Sequence, residues 1–118
     1  MILALVDDLM FSSKIRATAK PLDVTVVFAR SKEGALAEMA KARPALVILD
    51  INATRIDPLA IVSAMKADPT LADIPSVGFV SHVQTDLIDA ARRAGVTEVL
   101  PRSAFAMNLP EILARGMP

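Results

Sequence analysis

Short unbroken apolar runs alternate along this chain with longer stretches whose apolar residues recur at helical spacing. Five runs stand out, at 2–6, 24–28, 45–49, 76–80 and 96–100. Four of them lack strict alternation. Val/Ile/Leu runs of this length, bounded by Asp, Pro or Ser, predict strands buried on both faces, as in a parallel sheet. The fifth, Val96-Thr97-Glu98-Val99-Leu100, is more mixed and reads as an edge strand.

Between the runs the spacing predicts amphipathic helices. Their apolar stripes are Phe11, Ile15, Ala19 and Leu22; Leu36, Met39 and Ala40; Leu59, Val62 and Met65; Val83, Leu87, Ala91 and Ala94; and, on a short fifth helix, Phe105, Leu109, Ile112 and Leu113. Local chemistry agrees with these boundaries. Asp57-Pro58 is an N-cap followed by proline at the first helical position, Ser31 can cap the second helix, and Gly95 stands where a left-handed C-cap is wanted. Pro44 and Pro75 sit just before strands. Strand and helix alternating five times predict an α/β fold, a flavodoxin-like (βα)5 doubly wound five-stranded parallel sheet of order 2-1-3-4-5.

Composition narrows what such a fold can do here. With 118 residues, 53% hydrophobic and 22% charged, the chain is expected to form one domain over 1–118. Thirteen basic and thirteen acidic residues cancel, which argues against a general nucleic-acid or anionic-membrane surface. There is no cysteine, and the single histidine, His82, cannot make a multi-His metal centre; with no partner in ligand or triad spacing it reads as a first-turn helix residue. No apolar run approaches the ~20 residues needed to span a bilayer, and no basic region precedes the first run, so a cytoplasmic protein is expected. Four glycines and no Gly-x-x-x-x-Gly-Lys loop leave little for a phosphate cradle.

The chemistry gathers where the strands end. The first strand runs into Asp7-Asp8, the third into Asp50, the fourth into Ser81 and the fifth into Pro101-Arg102, all on the same sheet edge. Neighbouring strands lie about 4.8 Å apart, so Asp7, Asp8 and Asp50 should crowd three carboxylates at the switch point between strands 1 and 3. A raised pKa, a cation or a basic side chain would relieve that crowding, and hard oxygen donors of this kind suit Mg²⁺. Ser81 can place a hydroxyl on an anion held there; it could equally cap the next helix, since Ser81-His82-Val83-Gln84 has capping-box spacing. Arg102, two strands from Asp50, should bring its charge to the Asp50 carboxylate or its derivative. An acid cluster, a metal, a hydroxyl and a long cation together describe phosphoryl transfer to a carboxylate, with Asp50 as nucleophile.

On these residues the chain resembles the receiver domain of two-component response regulators, the CheY-like family, over essentially its whole length. The matching segments are Leu-Val-Asp-Asp at 5–8, Val-Ile-Leu-Asp at 47–50, Asp-Pro-Thr-Leu-Ala-Asp-Ile-Pro at 68–75, Ser81, and Ala-Gly-Val-Thr-Glu-Val-Leu at 94–100. The resemblance implies that Asp50 is the phosphoacceptor, that Asp7 and Asp8 serve the Mg²⁺ site with the backbone carbonyl of Asn52, and that Ser81 is the switch hydroxyl. It further implies a signalling module rather than an enzyme. Its partners would be a histidine kinase or phosphotransfer protein and an output protein docking on helix 4, strand 5 and helix 5, with a homodimer allowed.

The departures are specific. Arg102-Ser103 replaces the family's lysine and proline, with proline moved to Pro101, so a cis peptide after the cation is not expected. Val99 stands at the family's aromatic switch position. The loop after Asp50 lacks the family's proline and glycine, and His82 follows Ser81 where a small residue is usual. Arginine presents a planar fork rather than a compact ammonium, so its exchange for lysine changes the site. These features keep open a second reading, a pseudo-receiver that binds a protein partner without phosphorylation.

Overall fold

The computed structural model describes residues 1–81 and 84–116. Its strands are β1 (Ile2–Leu5), β2 (Val26–Phe28), β3 (Leu46–Asp50), β4 (Ser76–Val80) and β5 (Glu98–Pro101). All neighbours pair in parallel, in the order β2-β1-β3-β4-β5, which is the order the strand and helix alternation predicts. The helices are α1 (Leu9–Ala19), α2 (Lys32–Lys41), α3 (Pro58–Ala67), α4 (Thr85–Ala94), α5 (Arg102–Met107) and α6 (Leu109–Ala114), and a 3-10 turn, Lys20–Leu22, extends α1.

Side chains of the central strands alternate between two apolar layers, as a period of two requires. Leu3, Leu5, Val47, Leu49 and Val80 face α2, α3 and α4, whereas Ile2, Ala4, Leu46, Ile48, Val77 and Phe79 face α1, α5 and α6. Both faces of β1, β3 and β4 are covered, so their residues are buried throughout, matching the unbroken apolar runs. Gly78 gives up its side chain to Ile51, whose methyl group lies 2.7 Å from where a Cβ would stand.

The caps form as their residue types dictate. Ser31 accepts from the Gly34 N–H, Asp57 from the Ala60 N–H with Pro58 opening α3, and Gly95 adopts φ 112° while its N–H meets the carbonyls of Ala91 and Arg92.

Several boundaries differ from the sequence expectation, each for a local reason. β2 loses Val24 and Thr25, because Asp23 turns left-handed and the Val24 N–H closes onto the Ala19 carbonyl. β5 starts at Glu98: the Val96 N–H goes to the end of α4, and Thr97 exchanges side-chain hydrogen bonds with Ser76. The expected fifth helix is two helices, α5 and α6, broken at Asn108 with Pro110 in the first turn of the second. Ala40 is exposed, and Ala35 joins Met39 on the buried face of α2 instead. Val83, expected on the α4 stripe, and His82 lie outside the described residues. No described peptide bond is cis, and no helix among the described residues is long and apolar enough to cross a membrane.

Candidate functional site

Asp50 is the last residue of β3, at the centre of the sheet edge, and only 7% of it is exposed. Its Oδ1 accepts a hydrogen bond from the Asn52 N–H at 3.0 Å. Burial pushes its carboxyl above the usual value; the nearby negative charges of Asp7 and Asp8 push the same way, against the Asn52 N–H and the charge of Arg102. Asp50 is thus a desolvated acid whose surroundings supply less than its charge demands.

Asp7 and Asp8 leave the end of β1 differently. Asp7 is half-buried, and its Oδ2 accepts a long hydrogen bond, 3.4 Å, from the Arg55 N–H in the β3–α3 loop. Asp8 is the N-cap of α1. Its carboxylate accepts from the Phe11 N–H at 3.1 Å and from Arg102 Nη2 at 2.7 Å. The Phe11 hydrogen bond first, and the Arg102 hydrogen bond second, hold its carboxyl below the usual range.

Arg102 therefore meets Asp8, not Asp50 as the strand spacing suggests. The spacing gives a distance but not a face. Arg102 opens α5, which packs on the same side of the sheet as α1, so its guanidinium reaches across that side to the α1 cap. It also lies 4.7 Å from the centroid of the Phe11 ring and 5.8 Å from that of Phe79. Phe79 in turn stacks on Phe11 at 4.7 Å and packs tilted against Phe105 at 4.6 Å, so the cation rests on a three-ring pile. The pile was detectable in principle: three of the four phenylalanines occupy core positions on one face.

Ser81 follows β4 and is exposed. It does not cap α4, which begins at Thr85 with Gln84 in the N-cap position and no side-chain cap. Its N–H instead donates to Asn52 Oδ1 at 2.7 Å, while Asn52 Nδ2 donates to Gln84 Oε1 at 2.8 Å. The Asn52 side chain thus ties the loop after β3 to the loop after β4. Sequence reasoning singled out only the Asn52 carbonyl, and the capping-box spacing that included Gln84 pointed it at the α4 cap rather than at Asn52.

The donor chemistry of Asp7, Asp8, Asp50 and the Asn52 carbonyl fits a hard divalent cation that keeps several waters. It is not a closed cage. Among the described residues no three acidic or histidine side chains converge to hold a metal, in contrast to the three crowded carboxylates expected, because Asp8 is turned to the α1 cap and Arg102.

No protein-family model and no curated protein matches the chain. Solved structures do match its fold. The phosphorylated cyanobacterial phytochrome response regulator RcpA is 24% identical over 96% of this chain and 87% of its own, with a TM-score of 0.79. The receiver domain of NtrX from Brucella abortus is 23% identical over 99% of this chain and 98% of its own, at 0.80. The Mn²⁺-bound form of response regulator Rcp1 is 22% identical over 96% and 88%, at 0.76. The fold, including its strand order, is the one these proteins share.

Proposed function

We propose that this chain, which has the receiver-domain fold, is a two-component signalling receiver that accepts a phosphoryl group on Asp50 from a histidine kinase or phosphotransfer protein. The observation that carries this reading is the state of Asp50: buried at the end of the central strand, with its carboxyl pushed up by desolvation and by its acidic neighbours. A carboxylate made more basic in this way is a better nucleophile than an ordinary aspartate. One of its oxygens attacks the phosphorus of a phosphohistidine. The P–N bond breaks, an acyl phosphate forms, and the imidazole nitrogen takes up a proton from solvent.

The other residues divide the accompanying work. Ser81 offers its exposed hydroxyl to an oxygen of the incoming group, and Arg102 keeps Asp8 neutralised so that one negative charge fewer opposes that group. Asp7, Asp50 and the Asn52 carbonyl would hold a divalent ion, Mg²⁺ in this reading, supplying positive charge to the phosphoryl oxygens, and Asp8 would join them only on release from Arg102. Rcp1 in its Mn²⁺-bound form supports a divalent ion at such a fold. The signal would leave through α4, β5 and α5, next to Ser81 and Arg102. The second reading, an interaction module that is never phosphorylated, draws on the Arg102–Asp8 pair, because a built-in cation already balances one of the acids.

Exposure to excess phosphoramidate and Mg²⁺, followed by intact mass, tests the proposal. The wild type is expected to gain one phosphoryl group and Asp50→Asn none. No gain in the wild type on long exposure would leave the interaction module as the function.

A further inference from the structure

Two cations have a claim on Asp8. In the receiver reading it is one of the acids that hold a divalent ion, yet both of its carboxylate oxygens are already engaged. The Phe11 N–H donates to Oδ1 at 3.1 Å, and Arg102 Nη2 donates to Oδ2 at 2.7 Å. These ties differ in kind. The Phe11 N–H belongs to the first turn of α1 and is capped by Asp8, so the fold itself fixes it. Arg102 comes from 94 positions away in the sequence and arrives on a long side chain, which can also leave.

The guanidinium is seated rather than loose. It lies 4.7 Å from the Phe11 ring centroid and 5.8 Å from that of Phe79, and both rings are buried, so the fold supplies its seat. Being tethered, it meets Asp8 at an effective concentration that an ion in solution must overcome. It is not sealed in, however. The side chains of Arg102 and Asp8 keep 34% and 39% of their surface, which leaves an ion a path to the carboxylate and the guanidinium a path to water. Asp7 and Asp50 have no comparable partner, since among the described residues neither is paired with a basic side chain. A divalent ion and a guanidinium on one carboxylate repel each other, so Asp8 serves one of them at a time. A monovalent ion brings half the charge and is a much weaker rival.

We propose that Arg102 is an internal competitor for Asp8: a divalent ion recruits this acid only by displacing the guanidinium, and until then Asp8 is withheld from Asp7 and Asp50. The inference rests on the divalent-ion part of the receiver reading and adds to it an exchange of one cation for another at a single carboxylate. Arg102 is a positioning residue in this scheme, acting on the ion through Asp8.

Calorimetric titration of MgCl2, against NaCl at matched ionic strength, tests it over a cycle of four proteins: wild type, Arg102→Ala, Asp8→Asn and the double variant. Asparagine keeps the α1 cap, because its side-chain oxygen accepts from the Phe11 N–H as the carboxylate does. With Asp8 present, Arg102→Ala should tighten Mg²⁺ binding roughly fivefold to tenfold, the affinity that a partly exposed ion pair and a ring contact withhold. In the Asp8→Asn background the same substitution should change it by about twofold or less, because only the screened charge of Arg102 is left to remove. Arg102→Lys, which keeps the charge and loses the planar ring contact, should fall between wild type and alanine. In the wild type alone, where no variant has to fold, NMR signals of the Arg102 side-chain N–H and the Asp8 carboxyl carbon should move with the same Mg²⁺ dependence as the Asp50 carboxyl carbon. An equal effect of Arg102→Ala in both backgrounds, Arg102 and Asp8 signals that stay still while Asp50 responds, or no Mg²⁺ bound by either wild type or Arg102→Ala would overturn the exchange. Binding by Arg102→Ala alone would support it in its strongest form. If Mg²⁺ displaces Arg102 while Asp50 gains no phosphoryl group, the exchange stands and the phosphoacceptor reading fails.

Discussion

Asp8, the α1 cap just beyond β1, and Asp50, the last residue of the neighbouring β3, share one sheet edge, yet their surroundings drive them in opposite directions. On the Asp8 side, a helix N-cap and a guanidinium both favour the anion, and the carboxyl is held below its usual range. On the Asp50 side, burial dominates, a single main-chain donor reaches Oδ1, and the carboxyl is pushed up. The supports beneath differ in the same sense. Arg102 rests on the ring pile of Phe11, Phe79 and Phe105, whereas the loop carrying Asp50 onward is tied through Asn52 to Ser81 and Gln84. Adjacent residues of β4 mark the divide: Phe79 joins the ring pile, and Gly78 makes room for Ile51 on the opposite face. Charge at this edge is balanced on one flank and left unbalanced at the centre. That asymmetry sets Asp8 and Asp50 apart electrostatically on one edge.

The largest expected effect comes from removing the support of the balanced flank. Phe79 is 1% exposed and contacts both other rings of the pile, so Phe79→Ala should cost about 3–5 kcal/mol by urea denaturation, from lost transfer energy and the cavity left behind. Phe79→Leu, a milder change, keeps the fold available for titration. In that variant Asp8 should titrate closer to an ordinary aspartate, because Arg102 loses part of its seat, while the Asn52–Ser81 tie on the other flank persists. A loss under 1 kcal/mol for the alanine variant would show that the pile supports nothing.

Arg102→Ala strikes the same flank from above and should cost less. Its ion pair with Asp8 is short but about a third exposed on both sides, so solvent screening leaves it roughly 0.5–1 kcal/mol, and the stacking on Phe11 adds about 0.5–1 kcal/mol. The ion-pair part should fade in high salt and the stacking part should persist. Carboxyl-detected NMR titration should find Asp8 moved up yet still below its usual value, since the Phe11 N–H, its largest stabiliser, remains. Asp50 should move further up, having lost the charge of Arg102. If Asp8 rises to the level of Asp50, the contrast between the flanks is due to Arg102 alone.

The fold was legible because buried parallel strands leave unbroken apolar runs, and five such runs admit few right-handed arrangements. The gathering of these candidate residues at one edge was legible for a related reason: the residue just beyond a parallel strand's carboxyl end lies at the edge where such folds gather their ligands. That rule brings Asp7, Asp8, Asp50, Ser81 and Arg102 to one rim. It does not say which way each side chain turns. The pairing of Arg102 with Asp8 depends on which face of the sheet α5 covers, and the tie from Asn52 to Ser81 and Gln84 depends on the course of two loops with no periodic signal. The break at Asn108 was visible as a proline in the next turn, but apolar spacing carried the expected helix through it.

The smallest effect tests the unbalanced centre directly. Asp50→Asn keeps an oxygen for the Asn52 N–H and removes the buried charge, so in metal-free buffer at neutral pH it should stabilise the protein. The pH dependence fixes the sign. A carboxyl whose folded value is raised above 3.8 contributes stability that is fully present below 3.8, where it is protonated in both states, and that is lost as pH rises through the folded value. The advantage of the asparagine variant should therefore be small in acid, grow as pH rises past 3.8, and level off above the folded value of Asp50. Asp8 behaves in the opposite way: its contribution is present above 3.8 and is lost as pH falls through its lowered folded value. Both proteins contain Asp8, so it largely cancels in the difference between their curves, and what remains reports Asp50. Urea melts of the two proteins from acid to neutral pH, with a chelator present, supply that difference. If the asparagine variant is the less stable at neutral pH, or its advantage shrinks as pH rises, Asp50 is stabilised as an anion by its surroundings and the two flanks are electrostatically alike.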